Sequence, residues 1–420
     1  MVQWTSAAPW PRAAETTMHV LFVASRPPYP PLQGDRVRAY HFLRHLVRRH
    51  RVTLVAPVTA RLTPEVQAAN AALAERWVPV RIPRRWWVQA ALRYPFSARP
   101  LQTLLFAAPS LLRAVQALVA QHAFDLVHVQ LARLGPVAEV LPPQLPRVLD
   151  FIDALSLNMA RRAAREPWPQ RGFFLLEARR MARYERALVQ VYTQQVVTST
   201  VDRAAIGDFP TLHVIPNGVD VDAFPFYAGP REPGLIVFTG RMGYFPNEEA
   251  AVFFATQVLP QVRRAVPHAR FVIVGADPTP RVQRLARLPG VEVTGFVPRV
   301  QDYLQRAQVA VAPMRSGTGI QNKVLEAMAA GAAVVATPQA LGGIAARSGE
   351  HLLVAEDAAG LAAQVVRVLQ EPTLGPRLAR AARAWVETHH SWARATAQLE
   401  AVYQAARQVH ARAHTPGAEP

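Results

Sequence analysis

Short apolar runs rich in β-branched residues alternate with helical stretches along nearly the whole chain, and this rhythm limits the folds open to it. In the first half the runs predict strands at His19–Ser25, Arg51–Val58, Trp77–Ile82, Leu126–Gln130, Arg147–Asp153 and Val196–Thr200. The second half repeats the beat at Leu235–Thr239, Phe271–Gly275, Val291–Val297, Val309–Met314, Ala333–Thr337 and Leu352–Ala355. Several runs are almost continuously apolar, as strands covered on both faces of a parallel sheet are. Helically patterned stretches such as Arg36–His50 and Phe173–Val189 lie between them. The expected architecture is α/β, with two doubly wound Rossmann-like domains facing a cleft. A ligand would sit at the C-terminal ends of the strands.

At 420 residues the chain is long enough for two such domains. Pro216 and Gly218 interrupt the pattern within Val214–Asp220, which places the boundary there. The expected layout has an extension over 1–17, a first domain over 18–213 and a second over 214–390. A helix over 391–408 then crosses back to the first domain, ahead of a tail over 409–420. The extension and the tail read as disordered.

The chain has no cysteine, which excludes disulfide scaffolds, thiolate metal sites and cysteine nucleophiles. A formal net charge of +18 should attract phosphates, anionic lipid or nucleic acid. The longest uncharged run, Ala327–Ala346, contains Gly331, Pro338, Gly342 and Gly343, so it does not read as a bilayer span. No signal-type apolar core precedes Met18, and the expected location is cytoplasmic, peripheral on the inner face of the membrane. Arg84, Arg85, Trp86, Trp87, Arg93 and Tyr94 set cations beside interfacial aromatics, as a membrane-surface helix does. The same residues also suit a helix that buries its tryptophans in its own domain. Arginines over 160–186 extend the anionic-lipid reading.

Of the 47 basic residues one is lysine, Lys323, and the rest are arginine. That position calls for a compact ammonium rather than a planar fork. It follows the loop Gly317-Thr318-Gly319, between a strand and a helix start where backbone N–H groups and the helix dipole bind phosphate. A lysine in a first turn is unfavourable for the helix itself, which points to an anionic ligand. Glu326, three residues on, shares that face and suits a ribose diol. The plain alternative is a Lys323–Glu326 surface pair worth a few tenths of a kcal/mol. Gly240 and Arg241 end another strand, where glycine lets a ligand approach the backbone and arginine clamps a diphosphate.

With Pro216–Asp220, Val293-Thr294-Gly295-Phe296-Val297, Val309–Pro313 and Leu325–Gly331 running into Val334–Thr337, these pieces resemble glycosyltransferase family 4, of GT-B fold. The resemblance is strong over the second half. It is weaker over the first, at Pro27–Gly34 with the helix from Arg36, and at Asp150–Asp153. The chain looks most like the sugar transferases of exopolysaccharide and PEP-CTERM systems. That resemblance implies a retaining, metal-independent transfer, without a cofactor, from a UDP- or GDP-linked nucleotide-sugar to a glycan or lipid-linked acceptor. It implies that Arg241 and Lys323 stabilise the leaving diphosphate and that Glu326 holds the ribose. The backbone at Phe296 and Val297 would read the base, and Gly317, Thr318 and Gly319 would line the sugar and phosphate. Gly34, Asp35 and Arg36 would border the acceptor.

The sequence departs from the family at three places. Thr318 stands where the first of two glutamates is common, so the sugar hydroxyls lose that partner. Pro246 stands where a lysine often follows the arginine, and Lys323 is expected to take over its role. Ile152 aligns with a first-domain histidine, leaving Asp153 as its substitute. Asp220-Val221-Asp222 spells a metal-binding pair, but at the boundary rather than at a strand end, and His389-His390 reads as a helix surface pair. Two other functions fit less well: a sugar-nucleotide 2-epimerase of the same fold, and a non-enzymatic binder of nucleic acid or anionic surfaces. No recognisable nucleic-acid module supports the latter.

Overall fold

The computed structural model describes residues 17–164, 166–316 and 320–413. They form two compact units: one spans Asn217–Arg394, and the other combines the chain up to Pro216 with the chain from Ala395. The extension and tail expected from the sequence lie largely outside the described residues.

The first unit is built on a parallel sheet. Its strands are β1 (His19–Val23), β2 (Arg51–Val58), β3 (Arg76–Arg81), β4 (Leu126–Gln130), β5 (Arg147–Ile152), β6 (Gln194–Val197) and β7 (Leu212–Val214). They lie in the order β3-β2-β1-β4-β5-β6-β7. Central β1 pairs Val20 with Val52 on one side and with Leu126 on the other, and Val20–Val23 are fully buried. Helices cover both faces, which explains the unbroken apolar runs. Strand β7 falls just before the expected boundary. Three residues are too few to show a period, so its pairing with β6 shows only in the fold.

The second unit repeats the plan with β8 (Glu232–Thr239), β9 (Arg270–Val274), β10 (Val291–Gly295), β11 (Ala307–Ala312), β12 (Ala333–Ala336) and β13 (Leu353–Val354). Their order is β10-β9-β8-β11-β12-β13. In each sheet the chain starts at the middle, steps out to one edge, then returns to step out the other way. The reversal leaves a switch point between β1 and β4, and another between β8 and β11, where loops diverge and ligands bind in such folds.

The last helix, Trp392–Ala413, belongs with the first unit from Ala395 onward. Its buried Tyr403 hydroxyl meets His128 Nδ1 at 2.9 Å, and Glu400 pairs with Arg49 and His50. It runs past the end expected at 408. The arginine-rich stretch over 160–186 is two helices, Leu155–Ala163 and Gln170–Val191, because Pro169 ends one pattern and starts the next. No helix among the described residues is long and apolar enough to cross a membrane.

Two sequence readings change. Trp86 does not face a lipid surface: it is buried, and its Nε1–H donates to the Leu104 and Leu105 carbonyls. His390 is not a surface residue either. It ends the helix Leu374–His389 as a buried cap, with Nδ1 2.9 Å from the Asn217 carbonyl and its ring against Trp385.

Candidate active site at the carboxyl edge of the second sheet

The helix Asn322–Ala329 follows β11, one side of the switch point. Val324, Leu325, Ala327, Met328 and Ala329 are buried in the core, which fixes the helix rotation. Asn322, Lys323 and Glu326 are then left together on the half-buried face, as i, i+3 spacing requires. Gln321, at the N-cap, makes no side-chain capping bond, and its carbonyl accepts from the Val324 N–H at 2.9 Å.

Lys323 is held by neutral partners. Its Nζ donates to Asn247 Oδ1 at 2.5 Å, approaches Met314 Sδ at 3.7 Å and lies 5.1 Å from the centre of the Phe238 ring. Among the described residues no carboxylate forms an ion pair with it. Burial lowers its pKa to about 8, opposed by the nearby Glu326 charge. The same burial raises the Glu326 carboxyl to about 7, against the pull of Lys323. The pair is thus not the exposed surface pair of the plain alternative.

Arg241 comes from the other side of the switch point, after β8. Two glycines make its loop: Gly240 has φ +157° and Gly275, after β9, has φ +148°. A Cβ on Gly275 would overlap the Gly240 carbonyl, and one on Gly240 would lie 2.7 Å from Asn247 Nδ2. Asn247 links the loops directly, because its Nδ2 also donates to the Arg241 carbonyl at 2.9 Å. One buried amide therefore touches both the ammonium and the backbone that carries the guanidinium. The exposed Arg241 side chain pairs through Nε with Asp277 Oδ2 at 2.7 Å.

The loop before Gly317 is anchored to the same helix as Asn247, Phe245–Phe253. Buried Ser316 donates to Glu249 Oε2 at 2.6 Å, and the Arg315 guanidinium stands over the Phe253 ring. Gly317, Thr318 and Gly319 lie outside the described residues. Phe296 and Val297 follow β10 on the same edge of the sheet, with the Phe296 side chain exposed. Asp220 Oδ1 accepts from the backbone N–H groups of Asp222 and Ala223, which is a turn's own capping bond.

The remaining expected residues are in the first unit. Gly34 starts the helix Gly34–Leu46, and Asp35 accepts from Ser25 Oγ at 2.9 Å and pairs with Arg26 Nε at 2.9 Å. Gln130, at the end of β4, donates to the Asp35 carbonyl, so Asp35 spans that unit's switch point. Arg36 follows it, partly buried. Asp153 lies after β5 with a different set of partners. It accepts from Thr198 Oγ1 at 3.2 Å, and burial beside Asp202 raises its pKa. Asn247, Asp277 and Glu249 were not legible as partners in the sequence; the available clue was that Asn247 follows the Pro246 that breaks the family pattern.

Residues 233–371 match the family model for Glycosyl transferases group 1. The phosphatidyl-myo-inositol mannosyltransferase of Mycobacterium tuberculosis is 31% identical over 205 residues, covering 45% of this chain and 53% of that protein. The glycogen synthase of the same organism is 31% identical over 215 residues, covering 47% and 49%. The chain thus spans about half the length of the curated relatives it matches. Among solved structures, sucrose-phosphate synthase from Thermosynechococcus elongatus superposes with a TM-score of 0.68 at 18% identity, over 94% of this chain and 100% of that one. Anabaena HepE, in complex with UDP-glucose, gives 0.64 at 14%, over 92% and 99%. The fold is the GT-B fold of these neighbours, and the match to the group 1 glycosyltransferase model covers residues 233–371, which carry Arg241, Lys323 and Glu326.

Proposed function

We propose that the chain is a retaining glycosyltransferase of family 4. It moves a sugar from a UDP- or GDP-linked donor to a glycan or lipid-linked acceptor at the cytoplasmic face of the membrane, without a metal ion or other cofactor. Its place is in exopolysaccharide or cell-surface polysaccharide synthesis. The observation that carries the reading is Lys323, an ammonium fixed at a helix start by an amide oxygen, a thioether and a ring, with no carboxylate bonded to it among the described residues. The UDP-glucose held by HepE supports a nucleotide-sugar donor, and the mannosyltransferase relative supports a lipid-linked acceptor.

As the bond from sugar to phosphate breaks, negative charge grows on the diphosphate. Lys323, Arg241 and the positive end of the helix Asn322–Ala329 stabilise that charge with little rearrangement. Arg241 exchanges its exposed Asp277 partner for phosphate, an easy exchange because a surface pair is worth under about 1 kcal/mol. Glu326 accepts from the ribose hydroxyls, the backbone at Phe296 and Val297 reads the base, and Gly317, Thr318 and Gly319 line the sugar. Asp153 takes the catalytic place of the first-domain histidine, and Gly34, Asp35 and Arg36 border the acceptor. The direct test is a panel of UDP-, GDP- and ADP-sugars scored for binding and for acceptor-dependent nucleotide release. If none binds, the reading is wrong; if a sugar nucleotide is interconverted without any acceptor, an epimerase replaces it.

A further inference from the structure

Several large apolar side chains of the first unit have no cover. On the helix Arg84–Arg93 and the single turn Tyr94–Phe96, Leu92 is 69% exposed and Phe96 is 93% exposed. Trp168 is 71% exposed, and Phe173 and Leu176 also face water. Contacts join them into one neighbourhood. Leu92 and Phe96 line a shallow depression with Leu104, the Tyr94 ring lies 6.1 Å from that of Phe173, and Trp168 packs over Gly172. The same two helices carry exposed arginines: Arg84, Arg85 and Arg93 on the first, Arg171 and Arg179 on Gln170–Val191. The carboxylates nearby are already engaged. Glu177 is buried and bonded to the Tyr94 hydroxyl and the Leu101 N–H, Glu139 pairs with Arg99, and Glu166 pairs with Arg162.

We infer that this surface docks the protein on an anionic lipid bilayer, with Leu92, Phe96 and Trp168 entering the headgroup region and the arginines meeting lipid phosphates. The sequence left Trp86 and Trp87 open either to such a contact or to burial in their own domain; the fold buries Trp86 and exposes Leu92 and Phe96. A side chain as exposed as Phe96 stands proud of the surface. A protein partner would need a matching pocket for each protruding group, but a fluid interface receives protruding apolar groups of any shape. The uncompensated arginines add the attraction to anionic headgroups, each near the surface contributing in the same direction. This docking rests on the proposed function for its place at the membrane and for a lipid-linked acceptor, and does not depend on which sugar moves.

The test is flotation of the full chain with vesicles of phosphatidylcholine alone or mixed with phosphatidylglycerol. The expected result is recovery with the mixed vesicles and little with phosphatidylcholine. Binding should fall about tenfold in Leu92→Ser/Phe96→Ser, in Trp168→Ser and in Arg84→Ser/Arg85→Ser, each with an unchanged melting temperature. Equal recovery with both vesicle types, or variants that float like the parent, would overturn it. So would a self-association of the parent that Leu92→Ser/Phe96→Ser abolishes, since a second copy would then be the occupant. Nucleotide release measured without vesicles reads the proposed activity separately, so failure of one is not mistaken for failure of the other.

Discussion

The two sheets share one strand plan, yet their switch points treat charge in opposite ways. In the first unit, Asp35 is matched by Arg26 and bonded to Ser25, and its backbone holds Gln130. Beside it the fully buried Arg38 meets Asp150 at 2.6 Å and donates to the Ile215 carbonyl at 3.1 Å. The helix Gly34–Leu46 is thereby tied to three strands by charges that cancel within the fold. In the second unit, Lys323 is positioned as firmly by groups that carry no charge, with the Glu326 carboxyl near it but not bonded to it. A cation bonded to a carboxylate holds structure together, whereas a cation whose direct bonds go to dipoles keeps more of its field for something that arrives later.

The largest effect should come from breaking the matched pair. Asp150→Ala leaves the Arg38 guanidinium buried without its carboxylate, and urea unfolding should show a loss of about 3–5 kcal/mol. Arg38→Met with Asp150→Leu should recover most of that loss, because no charge then remains to be buried. Next, Lys323→Ala should lower kcat by about a hundredfold or more, with a melting temperature close to the parent's. Lys323→Arg should not restore it, since the planar fork does not fit the small space between Asn247, Met314 and Phe238.

Asn247→Asp sharpens the contrast by converting the second switch point into a copy of the first. With a carboxylate at that position the Lys323 charge is cancelled internally, and donor affinity by calorimetry should drop about tenfold while stability is kept. The pH profile gives a further check. Burial lowers Lys323 to about 8, and a bound diphosphate favours its protonated form, so donor affinity should be steady below that pH and decline as pH rises through it. A flat profile from pH 7 to 9 would separate Lys323 from the diphosphate. The smallest effect is expected at Asp277→Asn, which breaks an exposed pair and should cost under about 1 kcal/mol in stability.

Much of the fold was legible because parallel strands announce themselves as apolar runs. All six strands of the second sheet fall where those runs lie, while β7 in the first was too short to show. The ends were less clear: the helix read as Phe173–Val189 spans Gln170–Val191, since terminal turns are set by caps and neighbours more than by periodicity. At the site, Lys323 stood out by being the lone lysine and Arg241 by following a strand-end glycine. Asn247 did not stand out, because an asparagine after a proline is equally at home in any helix start.

The sequence by itself determined which segments become strands and helices and which side chains share a helix face, because backbone sterics and hydrophobic burial act over a few residues at a time. Tertiary structure alone decided what each charge would meet. Lys323 and Asn247 are 76 positions apart in the chain, and Arg38 and Asp150 are 112 apart. Whether a cation finds a carboxylate or an amide at such a distance depends on how loops from different strands converge, and that convergence is fixed only when the sheet closes around its core.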